Sequence, residues 1–487
     1  MPPIPLRLLP ILLFVPFVLA PPLNHDVAAI LNFAERWHAG ERLYVDLIDI
    51  NPPLIFILNR APAALAAATG LDAVVCLQFS LITLGLVSWG LTLRVRDRPS
   101  EGPIERALLD VLPGVFLFTA GYDFGQREHI VTLTALPYLL AAARRSQGAS
   151  LNAALPAALL AALGILLKPY FLALPALVEA AVFLATRRID RTPWVLAAAG
   201  LLYAAIVILL FPVYLTDIVP LARDFYLPIG QGTPLNILVK PRMIPVFALL
   251  VPLVWPALKS PAPRMLCLAA IAMLVSAMIQ HRGWSYHIVP IELLTTATAA
   301  LLAAQWLDHH QRETPHAAAV LVGLISLYPL CVGELPNKEL LYARSEAARL
   351  TARLRQYGPH PGVLILTPDI SPTFPAVNDA HARLLLPAMD TWILEGAYRT
   401  CPADGIRYRA PPDMPPAERA FLTRVVTDFT HTPPPLVVID RVSGIPACPE
   451  PFDLLTYFLR DPGFAATWAG YRQAADIGRF RVFARVP

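Results

Sequence analysis

Residues 193–213 read PWVLAAAGLLYAAIVILLFPV, a run of 21 residues without a charged side chain. About 20 apolar residues are enough for a helix to cross a bilayer, so this run predicts a membrane span. The composition of the whole chain also indicates a membrane protein, because 56% of its 487 residues are hydrophobic and only 15% are charged. Soluble domains carry about 25% charged residues. This composition excludes a disordered chain and an ordinary cytosolic enzyme. The net charge of only +4 excludes a basic nucleic-acid-binding protein.

Apolar runs of this kind fill most of the chain up to residue 332. We therefore predict a polytopic α-helical membrane protein with about eleven transmembrane helices. A retained first span is favoured over a signal peptide, because Pro21-Pro22 makes a poor cleavage site. The stretch 53–70 is interrupted by prolines and Arg60, so we expect an interfacial helix there. The predicted spans are 6–22, 72–93, 107–121, 129–143, 152–167, 169–186, 193–213, 239–258, 265–280, 286–306 and 316–332.

The pattern changes after Glu334, since residues 335–487 hold no apolar run of spanning length. Short β-rich runs alternate there with amphipathic stretches, which indicates a mixed α/β domain. We therefore predict a transmembrane domain over 1–334 and an α/β domain over 335–487. The β-rich runs are 363–366, 436–439 and 480–483, and the amphipathic stretches include 338–356 and 416–428.

Cysteines are few, with five in the whole chain. Cys401 and Cys448 both fall in the predicted α/β domain, where an oxidising compartment would allow them to pair. The other three lie in predicted spans and are expected only to pack.

Basic residues set the expected orientation. Clusters of arginine and lysine follow every second span, and such clusters face the cytoplasm. All of these clusters can face the cytoplasm only if residues 53–70 do not cross the membrane. The N-terminus then lies inside, and the α/β domain lies outside, in the periplasm. The Ala-, Leu-, Pro- and Arg-rich composition suits the cytoplasmic (inner) membrane of a bacterium. The clusters are 94–106, 144–145, 187–191 and 259–264.

Acidic residues mark the first predicted outer loop. Asp26 precedes an amphipathic stretch at 27–39. Asp46 and Asp49 follow this stretch and are candidate substrate-binding residues. One interpretation makes Asp26 the N-cap of a helix that Gly40 ends. In the other, the helix N-terminus keeps the Asp26 carboxylate ionised, so that it can act as a base. Both roles can hold together.

The second outer turn, GYDFGQREH at 121–129, is rich in polar side chains. Arg127 and His129 suit an anionic group, whereas Asp123 and Glu128 suit sugar hydroxyls or a divalent cation such as Mg²⁺ or Mn²⁺. The alternative is a solvated hairpin in which Arg127 pairs with an acid.

Two further polar features lie at predicted outer boundaries. Lys168 either extends to the membrane interface or contacts a phosphate. The stretch 280–287 either binds a phosphate or forms an interfacial aromatic belt. Its candidate phosphate ligands are His281, Arg282, Tyr286 and His287.

The order and spacing of these features resemble the GT-C superfamily of integral-membrane glycosyltransferases, which use polyprenyl-phosphate sugars. The sequence is most similar to the protein mannosyltransferase and aminoarabinose transferase group. Val27 follows Asp26 where many relatives carry Glu, and Asn51 stands where many carry Lys. The features that carry the resemblance are the acid at 26, G-x-x-x-Y-x-D at 40–46, P-P-L at 52–54, the turn at 123–129, G-x-x-x-K-P at 164–169 and Y-H-I-V-P at 286–290.

The resemblance implies that Asp26 is the catalytic base or orients the acceptor. It implies that Lys168, Arg127 or Arg282 holds a lipid-linked phosphate. The implied partners are a polyprenyl-phosphate-linked sugar donor, a glycan, lipid or protein acceptor, and membrane lipid, with no nucleic acid. Apart from a divalent cation, no cofactor is implied.

Two other functions fit the composition: a transporter or flippase for a lipid-linked sugar, and a polysaccharide polymerase or ligase. Transporters place their sites near the bilayer midplane between repeated halves. This sequence shows no internal repeat, and its polar residues collect at the predicted outer rim. These observations favour an enzyme.

Overall fold

The computed structural model describes residues 15–20, 22–96, 98–229, 232–310, 317, 320–324, 341–401 and 407–486. The described residues fall into two compact units, and each unit is assembled from separate stretches of the chain. The first unit draws on Met1–Asn24, Ala68–Leu209 and Gly232–Leu340, and the second on His25–Ala67, Leu210–Gln231 and Leu341–Pro487.

Helices dominate the chain up to residue 310. In chain order, the α-helices of five or more described residues are α1 (Val15–Leu19), α2 (His25–His38), α3 (Pro53–Thr69), α4 (Ala73–Val95), α5 (Pro103–Phe118), α6 (Arg127–Arg145), α7 (Ala154–Ile165), α8 (Ala173–Thr186), α9 (Thr192–Leu210), α10 (Met243–Leu258), α11 (Pro261–Ile279) and α12 (Ser285–His309). The later helices are α13 (Glu346–Arg355), α14 (Thr373–Asp379), α15 (Trp392–Ala397), α16 (Pro416–His431), α17 (Leu454–Leu459) and α18 (Pro462–Trp468).

Among the described residues, five helical segments are long and apolar enough to cross a membrane, judged by length and composition. They are α4, Pro169–Thr186, α9, α11 and α12. The helical, membrane-type architecture that the sequence predicts is therefore confirmed, while the number of eleven spans stays a prediction. The first and last predicted spans, 6–22 and 316–332, lie mostly outside the described residues.

Burial separates the helices of the first unit into central and peripheral ones. Every residue of α6 except Arg144 is buried, so α6 is the core helix of this unit. By contrast, α9 buries only Thr192 and Val207 among its described residues and exposes an apolar surface, as a lipid-facing helix does. A tight contact joins α6 to α7, because a Cβ added at Gly164 would lie 2.6 Å from Val131 Cα.

The second unit contains a five-stranded sheet. Its strands are β1 (Gly362–Leu366), β2 (Arg383–Leu384), β3 (Leu436–Asp440), β4 (Tyr471–Ile477) and β5 (Phe480–Arg485). Their order is β2-β1-β3-β5-β4. The first three strands run parallel, with Val363 opposite Leu436, and β5 pairs antiparallel to β3 and β4. All three predicted β-rich runs are strands. The β3 run is buried on both faces, which explains its unbroken apolar sequence.

The first predicted outer loop belongs to the same unit as this sheet. Helix α2 begins at His25, so Asp26 lies in its first turn and is not its N-cap. The helix ends before Gly40, whose φ of +112° favours glycine. Hydrogen bonds join the loop to the C-terminal stretch. Among them, Asn378 Nδ2 donates to the Ala28 carbonyl (3.0 Å), and the Ile48 amide donates to the Pro387 carbonyl (2.7 Å).

Residues 214–226 follow the predicted span 193–213 and are helical, although no helix is predicted there. Wide helical turns run through Tyr214–Ile218 and Ala222–Tyr226. Aromatic packing explains the difference, because the rings of Phe211 and Tyr214 lie 6.2 and 5.0 Å from the ring of Tyr44.

The second unit contains a disulfide. Cys401 and Cys448, whose pairing the sequence leaves open, are joined with a Cα–Cα distance of 5.6 Å. Cys76 and Cys267 are buried free thiols, and Cys331 lies outside the described residues.

Candidate active site

The polar turn between α5 and α6 is buried in the first unit. Gly121 and Gly125 have φ values of +60° and +84°, which allow the chain to reverse before α6 starts. Asp123, Arg127 and Glu128 are 3%, 6% and 1% exposed. The turn is therefore not a solvated hairpin, and its charged groups need partners inside the protein.

Lys168 provides one of these partners. Its Nζ lies 2.7 Å from Glu128 Oε1 and donates to Gln280 Oε1 at 3.2 Å. Pro169 keeps Lys168 in extended backbone, with φ −143° and ψ 138°, before the helical turn that leads to α8. Because Lys168 is only 8% exposed, its ammonium group lies in a buried ion pair rather than reaching the aqueous interface.

The start of α12 brings a histidine and aromatic rings to the same place. His287 Nε2 lies 3.8 Å from Glu128 Oε1. The Lys168 ammonium and the Arg127 guanidinium lie 5.1 and 5.9 Å from the centre of the Tyr286 ring. Five of the predicted site residues thus meet within one unit. We call Arg127, Glu128, Lys168, Tyr286 and His287 the buried cluster.

Arg282 lies just before α12. Its guanidinium is 4.7 Å from the centre of the Trp284 ring, and that ring stacks on His287 at 5.8 Å. Arg282 therefore borders the buried cluster through an aromatic side chain.

Asp123 is held by residues that the sequence predictions missed. Asn24 Nδ2 donates to Asp123 Oδ1 at 3.3 Å, and the Nη1 atom of Arg242 lies 3.7 Å from Asp123 Oδ2. Arg242 also donates two bonds of 2.7 Å to Glu292, which is 1% exposed. A signal for this pair was present, because Glu292 is an acid inside a predicted span.

Two predicted site histidines, His129 and His281, lie outside the buried cluster. His129 accepts a hydrogen bond from the Gly125 amide at Nδ1 (3.0 Å), and its Nε2 donates to the Phe116 carbonyl (2.9 Å). Both ring nitrogens are occupied, so His129 shapes the turn. His281 is exposed, and its Nδ1 lies 3.2 Å from the Gly232 carbonyl oxygen.

Asp26, Asp46 and Asp49 belong to the second unit. Asp26 lies 3.6 Å from His25 Nε2, and its side chain is 14% exposed. Asp49 accepts hydrogen bonds from the amide and the side chain of Asn51 (2.7 and 2.8 Å), which form the turn before α3.

Asp46 pairs with two arginines of the second unit. It accepts from the side chain of Arg42 at 3.0 Å and from Arg424 at 3.4 Å. Hydrogen bonds from Arg42 are the main reason that the pKa of Asp46 falls to about 2. Through its ion pair with Arg424, Asp46 connects the first predicted outer loop to α16.

No group of three or more His, Cys, Asp or Glu side chains is arranged to hold a metal ion in the described part of the chain. The divalent cation that the sequence suggests stays a prediction.

Comparison with solved structures identifies the fold. ArnT from Cupriavidus metallidurans bound to undecaprenyl phosphate aligns with a TM-score of 0.59 and 15% identity, over 99% of this chain and 96% of that one. Its apo form gives a TM-score of 0.55 and 16% identity, over 96% and 94%. The chain shares the fold of these two ArnT structures. The predicted resemblance is therefore confirmed at the level of the fold.

The archaeal oligosaccharyltransferase AglB from Archaeoglobus fulgidus aligns more weakly. Its TM-score is 0.42 at 13% identity, over 90% of this chain and 69% of that one. At the sequence level, no family profile and no curated protein matches the chain. The fold is thus recognised from tertiary structure.

Proposed function

We propose that the protein is a membrane glycosyltransferase that moves a sugar from a polyprenyl-phosphate-linked donor to a glycan, lipid or protein acceptor. The observation that carries the proposal is the buried cluster, in which the cations Lys168 and Arg127 both lie against the ring of Tyr286. Buried cations of this kind suit a phosphate, which lysine binds as a point charge and arginine through two parallel bonds. The GT-C-type fold, which ArnT uses to bind undecaprenyl phosphate, supports the same ligand class.

In the proposed reaction, the acceptor hydroxyl oxygen attacks the anomeric carbon of the sugar. The bond from that carbon to the phosphate oxygen breaks, and polyprenyl phosphate leaves with the electron pair. Asp26 takes the proton of the acceptor hydroxyl as general base. Lys168 and Arg127 stabilise the negative charge that develops on the leaving phosphate.

We further propose that the protein resides in the cytoplasmic membrane of a bacterium, with its N-terminus inside and the C-terminal α/β domain outside. The regular spacing of the basic clusters supports this orientation. The reaction then takes place at the outer face of the membrane, where lipid-linked sugars meet their acceptors.

The proposal is tested by replacing Asp26 with Asn in the full-length protein in nanodiscs. Sugar release from undecaprenyl-phosphate donors is measured by mass spectrometry with a mixture of envelope glycans and lipids as acceptors. We expect a loss of turnover of about 10²-fold or more, because the amide cannot take a proton. Asp217→Asn is the control, since Asp217 is exposed. Unchanged turnover in Asp26→Asn would remove Asp26 from the mechanism.

A further inference from the structure

Two members of the buried cluster carry polar atoms without hydrogen-bond partners. Glu128 is 1% exposed, and its Oε2 has no partner, although Oε1 pairs with Lys168. His287 is 2% exposed, and neither of its ring nitrogens has a hydrogen-bond partner. Buried polar atoms are rarely left unpaired, because their lost hydration is then uncompensated. This pair therefore points to a ligand.

The distance between the Glu128 and His287 side chains restricts which ligand group can hydrogen-bond to both. His287 Nε2 and Glu128 Oε1 are 3.8 Å apart, too far for a direct hydrogen bond. A hydroxyl oxygen fits at hydrogen-bond distance from both groups. It would accept from an imidazole N–H and donate to the carboxylate. The second imidazole nitrogen and Glu128 Oε2 can each accept a further hydrogen bond from a hydroxyl.

The charges of Glu128 and Lys168 argue against both an anionic and a cationic ligand at this position. A phosphate at this position would meet the carboxylate of Glu128. A cation would compete with Lys168, whose ammonium lies 2.7 Å from that carboxylate. Because Lys168 and Glu128 together are neutral, an uncharged hydroxyl group fits better than either ion.

We propose that Glu128 and His287 bind hydroxyl groups of the sugar that is transferred, while the carrier phosphate is bound by other members of the cluster. The inference rests on the proposed function and assigns these two residues to sugar recognition. A site that hydrogen-bonds a substrate hydroxyl strongly rejects analogues that lack it, since its buried polar groups are then left unpaired. Glu128 and His287 therefore help to determine which sugar is accepted.

Binding to the full-length protein in nanodiscs tests this assignment. The probes are undecaprenyl phosphate alone and undecaprenyl phosphate carrying glucose, mannose, galactose or arabinose. We expect the wild-type protein to bind at least one sugar-linked probe about tenfold or more tightly than the bare carrier. His287→Phe should abolish that difference and leave the affinity for the bare carrier within about twofold.

His287→Gln provides the matched variant, because its amide keeps a donor and an acceptor. It should restore part of the preference for the sugar-linked probe, which a purely structural role of the ring would not predict. Deoxy forms of the preferred sugar should lose affinity in the wild-type protein and much less in His287→Phe.

Three results would overturn the inference. His287→Phe could weaken both probe types equally, or His287→Gln could behave like His287→Phe with native thermal stability. The wild-type protein could also bind the bare carrier without gain from any sugar, as expected if the two side chains hold only water. Failure to bind the bare carrier would instead overturn the proposed function itself.

Discussion

Lys168 and Glu128 show how a buried charge can be tolerated in this protein. Each compensates the other at 2.7 Å, and both are almost completely buried. In such a pair the attraction offsets the cost of desolvation, so the pair itself adds little to stability. Removing one member of the pair lowers stability strongly, because the remaining buried charge is then uncompensated.

We predict that Lys168→Met destabilises the protein by about 3–5 kcal/mol. The double variant Lys168→Met/Glu128→Gln should recover most of this loss, since it leaves no unpaired charge. Neither variant should transfer sugar. Thermal unfolding in detergent, measured together with turnover, checks both statements. Lys240→Met is the control, because Lys240 is exposed. A Lys168→Met protein as stable as the wild type would contradict the prediction.

Arg242 is held beside Asp123 by its ion pair with Glu292. Its fork of two 2.7 Å bonds to Glu292 fixes the guanidinium that lies 3.7 Å from Asp123. Lysine cannot reproduce this fork, although it keeps the charge. A small displacement of a polar group in an active site can cost up to about 10²-fold in rate.

We therefore expect Arg242→Lys to lower kcat by about tenfold or more with a smaller change in KM. Arg223→Lys should leave turnover unchanged, because Arg223 is an exposed residue that pairs with its neighbour Asp224. Steady-state kinetics of sugar transfer gives both constants. If Arg242→Lys changes KM alone, Arg242 contributes to binding and not to positioning.

Helices α6 and α7 pack more closely than large side chains would allow. Gly164 makes this approach possible, and it lies four residues before Lys168. The sequence pattern G-x-x-x-K-P therefore has a structural component, since the glycine sets the position of the segment that carries the lysine.

Gly164→Ala should destabilise the protein by about 1–3 kcal/mol, because the new methyl group would overlap the α6 backbone at Val131. Gly90→Ala is the matched control: Gly90 lies inside α4 with nothing within 4 Å of an added Cβ. Alanine there should be neutral or stabilising by up to about 1 kcal/mol. Thermal unfolding of the two variants side by side distinguishes the cases, and equal effects would show that the contact is not tight.

Each of the two units is built from segments that are distant in sequence. In the second unit, Asp46 of the first loop lies 3.4 Å from Arg424 of α16. Because the folded pKa of Asp46 is depressed to about 2, the ionised carboxylate stabilises the folded form. This contribution is complete above the unfolded pKa of about 4 and is lost as the pH falls through about 2.

Asp46→Asn should therefore lower the melting temperature at pH 7. The gap to the wild-type protein should narrow below pH 4 and close near pH 2. Melting curves from pH 7 to pH 2 check this, with Asp217→Asn as an exposed control. A gap that stays constant across this range would mean that Asp46 acts through something other than its charge.

Local patterns determined much of the architecture. A bilayer requires about 20 apolar residues per helix, so the runs themselves located the helices between residues 72 and 306. The β-rich runs at 363–366, 436–439 and 480–483 became strands, because short, largely apolar runs of this length suit a sheet core. The clustering of polar residues at 121–129 and 280–287 likewise marked the two stretches that supply most of the buried cluster.

Tertiary structure alone decided which of these residues meet. The pairing of Glu128 with Lys168, the Arg242–Glu292 fork and the link from Asp46 to Arg424 all join positions more than 35 residues apart. Periodicity reports only which face of an element is apolar, so it cannot say which partner that element meets. The same limit explains why the sequence suggested His129 as a ligand, although the fold occupies both of its ring nitrogens.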